Sequence, residues 1–183
     1  MEDSEDGSAP IFLITGTPGS GKTSVSAALM KRYPHGIHIP VDDLREWVIS
    51  GLAQPVPIWT DETSRQFRLA RKSAAQVAAV YAEAGFAVVI DDVVFPMEAR
   101  HQYERPLGEH DIRKIFLQPR LDVALSRNAS RANKSFDTEV LVETIRTLHN
   151  AMSQRIFARA GWLVIDNSDL SLEETVDEIL KRI

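Results

Sequence analysis

The chain has 183 residues, of which 44% are hydrophobic and 26% charged, and this predicts one domain with a hydrophobic core. It contains no cysteine, which excludes disulfide bonds, thiol catalysis and cysteine-based metal sites. A formal net charge of -5 argues mildly against a protein that chiefly grips phosphate backbones and favours small-molecule ligands. No run of about 18 apolar residues and no signal-peptide pattern occurs, so we expect a cytoplasmic protein without a membrane segment.

Short apolar runs alternate with helical patterns along the chain. Residues 1–10 are polar and acidic and predict a disordered leader, with a single domain over 11–183. Strands are predicted at 11–15, 36–41, 86–90, 112–117 and 162–165. Helices are predicted at 24–32, 44–50, 62–84, 120 to about 131, 138–160, and after the capping box of Ser171 and Glu174. This alternation predicts an α/β fold, with a five-stranded, parallel, doubly wound sheet covered by helices on both faces.

A glycine-rich segment, GTPGSGKT at residues 16–23, directly follows the first strand and leads into a helix. It fits the pattern G-x-x-x-x-G-K-[ST], in which backbone N–H groups cradle phosphates, and a chance match is improbable in this context. Lys22 would reach the β- and γ-phosphates of ATP, and the Thr23 hydroxyl would coordinate Mg²⁺. The predicted fold is therefore the three-layer P-loop NTPase fold. The predicted nucleotide-binding residues here are Gly16, Thr17, Pro18, Gly19, Ser20, Gly21, Lys22, Thr23 and Ser24.

Two acids at the end of the third predicted strand are candidates for the metal site. The chain lacks the N-K-x-D tetrapeptide typical of GTPases, and its length favours a phosphotransferase over large motor ATPases. Asp91 lies where open α/β sheets place their ligand crevice, so Asp91 or Asp92 would hold Mg²⁺ or contact the acceptor. The alternative is a strand-end acid that caps the next turn.

A basic stretch, LSRNASRANKSF, follows the fourth predicted strand. Arg127 and Arg131 are four residues apart and share a helix face, so they can converge on one anionic group. We predict a lid over about 127–136, whose arginines neutralise charge on the transferring phosphoryl group. The alternative is an ordinary basic helix C-terminus.

The segment between the second and third predicted helices is a candidate acceptor wall. Trp59 follows two prolines there and would either stack on a substrate ring or fill the core beneath the turn. Arg65, Arg68 and Lys72 share one face of the next helix. That stripe would guide an anionic acceptor, although a solvated basic face is the more frequent meaning.

The order of these motifs resembles that of the small P-loop kinases, a group that includes polynucleotide 5′-hydroxyl kinases, chloramphenicol phosphotransferases and zeta-toxin-like and gluconate-kinase-like members. The resemblance rests on GTPGSGKT, on VDDLR and VVIDDVVFP, on the two lid arginines, and on LVIDNSDLSLEETVDEIL. It implies that Asp42 is the general base for an acceptor hydroxyl and that Arg45 positions the substrate. It also implies that the loop containing Asn167 borders the adenine.

Together these features predict an ATP- and Mg²⁺-dependent kinase that transfers the γ-phosphoryl group to a hydroxyl of a small molecule, nucleoside or nucleotide. An arginine beside the base, Arg45, predicts an acceptor that itself carries negative charge. A 5′-hydroxyl polynucleotide kinase is the first alternative. A nucleotide-binding regulator with slow ATP hydrolysis is the second.

Overall fold

Five parallel strands form one sheet, in the order β2-β3-β1-β4-β5, in the computed structural model, which describes residues 9–56, 58–130 and 140–183. The strands are β1 (Ile11–Thr15), β2 (Gly36–Pro40), β3 (Ala87–Asp91), β4 (Ile112–Leu117) and β5 (Leu163–Ile165). Residues 1–8 of the predicted leader lie outside the described residues. The five strands and their parallel pairing confirm the predicted fold class.

Helices cover both faces of this sheet. They are α1 (Lys22–Met30), α2 (Val41–Glu46), α3 (Asp61–Glu83), α4 (Pro96–Ala99), α5 (Arg105–Leu107), α6 (Leu121–Ala129), α7 (Val140–Ala151), α8 (Gln154–Arg159) and α9 (Leu172–Arg182). A π-helical turn, Arg100–Glu104, joins α4 to α5, and this short helical segment is absent from the sequence-based prediction. Within the described ranges, no helix combines the length and the apolar character that a bilayer crossing requires.

The alternation of side chains along β1 explains the two-sided core. Leu13 packs on one face of the sheet with Ala74 and Ala78 of α3. Ile14 packs on the opposite face with Leu29 of α1 and Val176 of α9. Because successive side chains of a strand point to opposite faces, a strand covered on both sides is apolar throughout. The continuous apolar run at 11–15 therefore predicts this central strand correctly.

The single helix predicted at 138–160 is wrong, because the helix is interrupted. The structure contains two helices there, α7 and α8, separated by Ser153 in an extended conformation. The Gln118 side-chain amide donates to the Met152 backbone carbonyl at 2.8 Å. This carbonyl is therefore paired with a side chain at the break between the two helices. The helical spacing of apolar residues continues across the break, so periodicity alone does not reveal it.

The second predicted helix begins earlier than expected. α2 begins at Val41 and ends at Glu46, where the prediction was 44–50. Pro40 ends β2 and is the last residue before the helix, with an extended backbone. The proline ring fixes φ near the observed -73°. Asp42 and Asp43 therefore both lie in the first turn of α2, and Asp42 does not close the strand.

Candidate active site

The phosphate loop lies between β1 and α1 and rests against α6. Gly19 has a φ of 84°, and a Cβ added there would come 2.1 Å from the Ala124 carbonyl oxygen of α6, so only glycine fits this close approach. The Lys22 ammonium donates to the Gly16 carbonyl at 3.1 Å and is nearly buried at the base of the loop. The first turn of α1 has no side-chain cap, because Gly21 occupies the capping position. Its N–H groups therefore fit the phosphates of a nucleotide.

Asp91 and Thr23 form a polar pair in front of this loop. Asp91 ends β3 and lies in register with Ile14, so that it reaches the phosphate loop. The Thr23 hydroxyl donates to Asp91 Oδ2 at 2.7 Å. Burial alone would raise the pKa of Asp91. Hydrogen bonds from His38 and Thr23 and the positive charge of Lys22 outweigh burial, and its pKa is lowered.

The donor set of this pair fits Mg²⁺, which prefers oxygen ligands and keeps several waters and phosphate oxygens in its shell. Thr23 Oγ1 and the Asp91 carboxylate are both hard oxygen donors, and they lie beside the phosphate loop. In the part of the chain that the structure describes, no three His, Cys, Asp or Glu side chains gather as a ready-made metal cage. A metal here would therefore be held jointly by protein, nucleotide and water.

Asp92 faces away from the phosphate loop. Its Oδ2 accepts hydrogen bonds from Arg71 Nε at 2.7 Å and from the Tyr103 hydroxyl at 2.8 Å, and its Oδ1 accepts from the Val93 N–H. Burial raises the pKa of Asp92 against the opposing pull of Arg71. Of the two candidate acids, Asp91 is thus the one that contacts Thr23, and Asp92 belongs to a buried network.

Asp42 and Arg45 lie together on α2, the helix that directly follows β2. Asp42 is exposed and close enough to Asp92 for its charge to act on that carboxylate. Arg45 is only 5% exposed, and its Nη1 donates to the Ala53 carbonyl at 2.8 Å. Among the described residues no carboxylate pairs with this guanidinium, and its Nε has no hydrogen-bond partner. A buried charge of this kind is costly unless an anion compensates it.

Trp59 lies at the surface, just before α3, and does not fill the core. Its ring stacks on Phe67 with 5.0 Å between centroids and is 54% exposed. The indole N–H donates to the Ser64 hydroxyl at 2.6 Å, which fixes the ring orientation. The Arg45 guanidinium lies 4.8 Å above the same Phe67 ring. Trp59 and Arg45 therefore flank one aromatic side chain of α3.

The predicted basic stripe on α3 is solvated. Arg65, Arg68 and Lys72 are all exposed, and Arg65 pairs with Glu62 at 2.7 Å. This agrees with the more frequent meaning of such a stripe. The buried cation of α3 is instead Arg71.

Arg127 and Asn167 bring α6 and the loop after β5 to the phosphate loop. Arg127 Nη2 donates to the Asn167 backbone carbonyl at 2.9 Å. The Asn167 side chain donates to the Ser20 carbonyl at 3.0 Å and is buried. Arg131 and residues 131–136 of the predicted lid lie outside the described residues.

Sequence reasoning missed two side chains near the site, Arg71 and His38. Arg71 lies on the apolar face of α3, between Phe67 and Ala74, and a cation at such a spacing is the signal that was available. His38 lies within β2, and its Nε2 is 3.5 Å from Asp91 Oδ2. A polar residue inside an apolar strand was the corresponding signal there.

The fold and the phosphate loop define a P-loop NTPase-like α/β protein with a kinase-like architecture. The AAA domain family matches residues 11–155, and the chain belongs to this family. No curated protein matches the chain at a significant level.

Solved structures with similar folds include several kinases. The gluconokinase of Sinorhizobium meliloti 1021 superposes with a TM-score of 0.64 at 19% identity, over 96% of this chain and 91% of that chain. The thymidylate kinase of Candida albicans gives 0.62 at 10% identity, over 94% and 90%. The tunicamycin resistance protein of Deinococcus radiodurans gives 0.62 at 13% identity, over 95% of each chain. At these identities the likeness concerns the fold, and the resemblance to polynucleotide kinases and chloramphenicol phosphotransferases stays a prediction.

Proposed function

We propose that this protein is an ATP- and Mg²⁺-dependent phosphotransferase that moves the γ-phosphoryl group to a hydroxyl of a small molecule, nucleoside or nucleotide. The observation that carries the proposal is Arg45, a buried guanidinium without a carboxylate partner among the described residues. It lies on α2, which begins at the carboxyl end of β2, and the phosphate loop leaves β1 at the same edge of the parallel sheet. A protein that only bound or slowly hydrolysed nucleotide would not need a second, anion-binding wall. The named kinases among the structural neighbours support the same reaction class.

The proposed transfer assigns one task to each polar side chain predicted for the site. Asp42 accepts the proton of the acceptor hydroxyl as its oxygen forms a bond to the γ-phosphorus and the bond to ADP breaks. Lys22, together with Arg127 and Arg131 of the lid, neutralises the charge that develops on the transferring group. Bound Mg²⁺ would supply further charge neutralisation, with Thr23 and Asp91 as its protein ligands. Asn167 would border the adenine beside the loop.

The proposed acceptor wall consists of Arg45 and Trp59, which both contact the Phe67 ring. Arg45 would pair with an anionic group of the acceptor, since an anion would compensate its buried charge. The exposed face of Trp59 would stack on a planar ring or base. Both contacts fit a nucleotide-sized acceptor better than a small neutral alcohol. This wall also fits a 5′-hydroxyl nucleic-acid end, which remains the alternative acceptor, with exposed Arg68 and Lys72 available to a longer chain.

Transfer of label from γ-labelled ATP tests the proposal. The acceptor panel contains gluconate, thymidine, nucleoside 3′-monophosphates, a phenicol alcohol and short 5′-hydroxyl oligonucleotides, with products separated by chromatography. We expect label on a small acceptor, and preferentially on one that carries negative charge. Label chiefly on oligonucleotides would favour the polynucleotide kinase. Slow ATP loss that no acceptor changes would instead favour the regulator.

Two variants make the assay specific. Lys22→Ala should impair every use of ATP, because the loop lysine contacts the phosphates in each version of the function. Arg45→Met should raise KM for an anionic acceptor while leaving KM for ATP unchanged. A rise in KM for a neutral acceptor of equal size would contradict the assignment of Arg45.

A further inference from the structure

His38 lies beside the proposed metal site although it is not part of any motif. Strand β2 pairs with β3 so that His38 is opposite Val89 and Pro40 is opposite Asp91. Paired residues of parallel strands share a face, as do residues two apart in one strand. His38 and Asp91 therefore lie on the same face of the sheet, the one on which Val89 packs with α1.

The side chains of His38 and Asp91 approach each other across two neighbouring strands. His38 Nε2 lies 3.5 Å from Asp91 Oδ2, the same oxygen that accepts the Thr23 hydroxyl. This ring nitrogen is buried and makes no hydrogen bond of standard geometry to any described residue, and the Asp91 carboxylate lies near it. A buried N–H without another acceptor gains most by turning toward the carboxylate.

We propose that His38 is a positioning residue that holds the Asp91 carboxylate toward Thr23 and the metal site. The inference rests on the proposed function, in that Thr23 and Asp91 bind Mg²⁺ together with the nucleotide. The hydrogen bond from the Thr23 hydroxyl is one constraint on the Asp91 carboxylate. His38, on the neighbouring strand β2, supplies a second constraint from within the sheet. Outer partners of metal-binding carboxylates commonly tune affinity in this way.

Two substitutions of similar volume separate hydrogen bonding from packing. His38→Phe keeps a ring but removes the N–H, whereas His38→Gln places a side-chain N–H near the original Nε2. The matched control is His35→Ala, an exposed histidine just before β2 whose ring contacts Phe86. Thermal unfolding checks that each variant is folded.

The measurement is the affinity for Mn²⁺ in the presence of a non-hydrolysable ATP analogue, obtained from the electron paramagnetic resonance signal of free Mn²⁺. We expect His38→Phe to weaken Mn²⁺ binding by about tenfold, at the low end of what loss of such a partner costs. His38→Gln should recover most of the affinity, and His35→Ala should match the unaltered protein. Binding of the analogue without metal should be the same in all four proteins.

Equal Mn²⁺ affinity in His38→Phe and the unaltered protein would overturn the proposal. It would also be overturned if His38→Gln were as weak as His38→Phe, because packing and not the N–H would then be responsible. If the unaltered protein bound no Mn²⁺ with the nucleotide analogue, the proposed function would fail first. These results are distinguishable in one set of titrations.

Discussion

Replacing Arg71 by methionine tests the buried ion pair between α3 and the end of β3. Arg71 Nε lies 2.7 Å from Asp92 Oδ2, and the two side chains are 7% and 2% exposed. Methionine keeps much of the aliphatic stem but removes the guanidinium. Among the described residues, Asp92 would then retain the Tyr103 hydroxyl and the Val93 N–H as its donors. A buried carboxylate in this situation takes up a proton rather than remaining charged.

The expected loss of stability follows from the cost of that proton. Burial raises the pKa of Asp92 in the intact protein, and removal of the Arg71 charge raises it further. In the unfolded chain the carboxyl has a pKa of about 3.9, so each pH unit above this costs about 1.4 kcal/mol. The loss is therefore at most about 4 kcal/mol near pH 7, similar to the cost of breaking other buried pairs. Because the folded-state pKa is raised, the loss shrinks as the pH falls toward about 4.

Urea unfolding monitored by tryptophan fluorescence measures this effect at about pH 5 and about pH 7. Arg68→Met is the matched control, since Arg68 is exposed on the same helix and should change stability by less than about 0.5 kcal/mol. The double variant Arg71→Met with Asp92→Asn should lose the pH dependence. A loss that is equal at both pH values, or below about 1 kcal/mol at the higher one, would refute the reasoning.

Three further outcomes are expected. Asp42→Asn should slow phosphoryl transfer by about 100-fold or more while nucleotide affinity is kept, and loss of nucleotide binding would contradict a role as general base. Gly19→Ala should lower both nucleotide affinity and Tm, because its Cβ would meet the Ala124 carbonyl at 2.1 Å and its φ is 84°; unchanged values of both would contradict the loop geometry. The hydrogen bond from Arg65 lowers the pKa of Glu62 to about 2, so its stabilising contribution is complete above about pH 4.3 and is lost as the pH falls toward about 2. NMR titration of Glu62 should show this low pKa, and Arg65→Gln should return it toward the usual range; no change on substitution would exclude Arg65 as the cause.

The sheet and the phosphate loop could be predicted because their signals are local. A strand covered on both faces is apolar along its length, as Ile11, Phe12, Leu13 and Ile14 of β1 are. The phosphate loop requires glycine at a close approach and lysine at the helix start, and these are adjacent in sequence. The capping box of Ser171 and Glu174 is equally local, and both of its hydrogen bonds are present.

Features that depend on contacts distant in sequence could not be predicted. The break between α7 and α8 coincides with a hydrogen bond from Gln118, far from Met152 in the chain. Burial of Arg45 depends on the Ala53 carbonyl and on Phe67 of another helix. The sequence pattern of α2 does not indicate that Arg45 contacts Ala53 or Phe67.

The sequence by itself determined the class of fold, the phosphate loop and the presence of two adjacent acids at the end of the third strand. Only the tertiary structure decided their separate tasks. Neighbouring side chains at a strand end point to opposite sides, so Asp91 reaches Thr23 while Asp92 reaches Arg71 and Tyr103. Strand order and helix packing decide which of these two sides faces the phosphate loop. Both depend on the burial of apolar side chains from all parts of the chain, and no local sequence pattern contains that information.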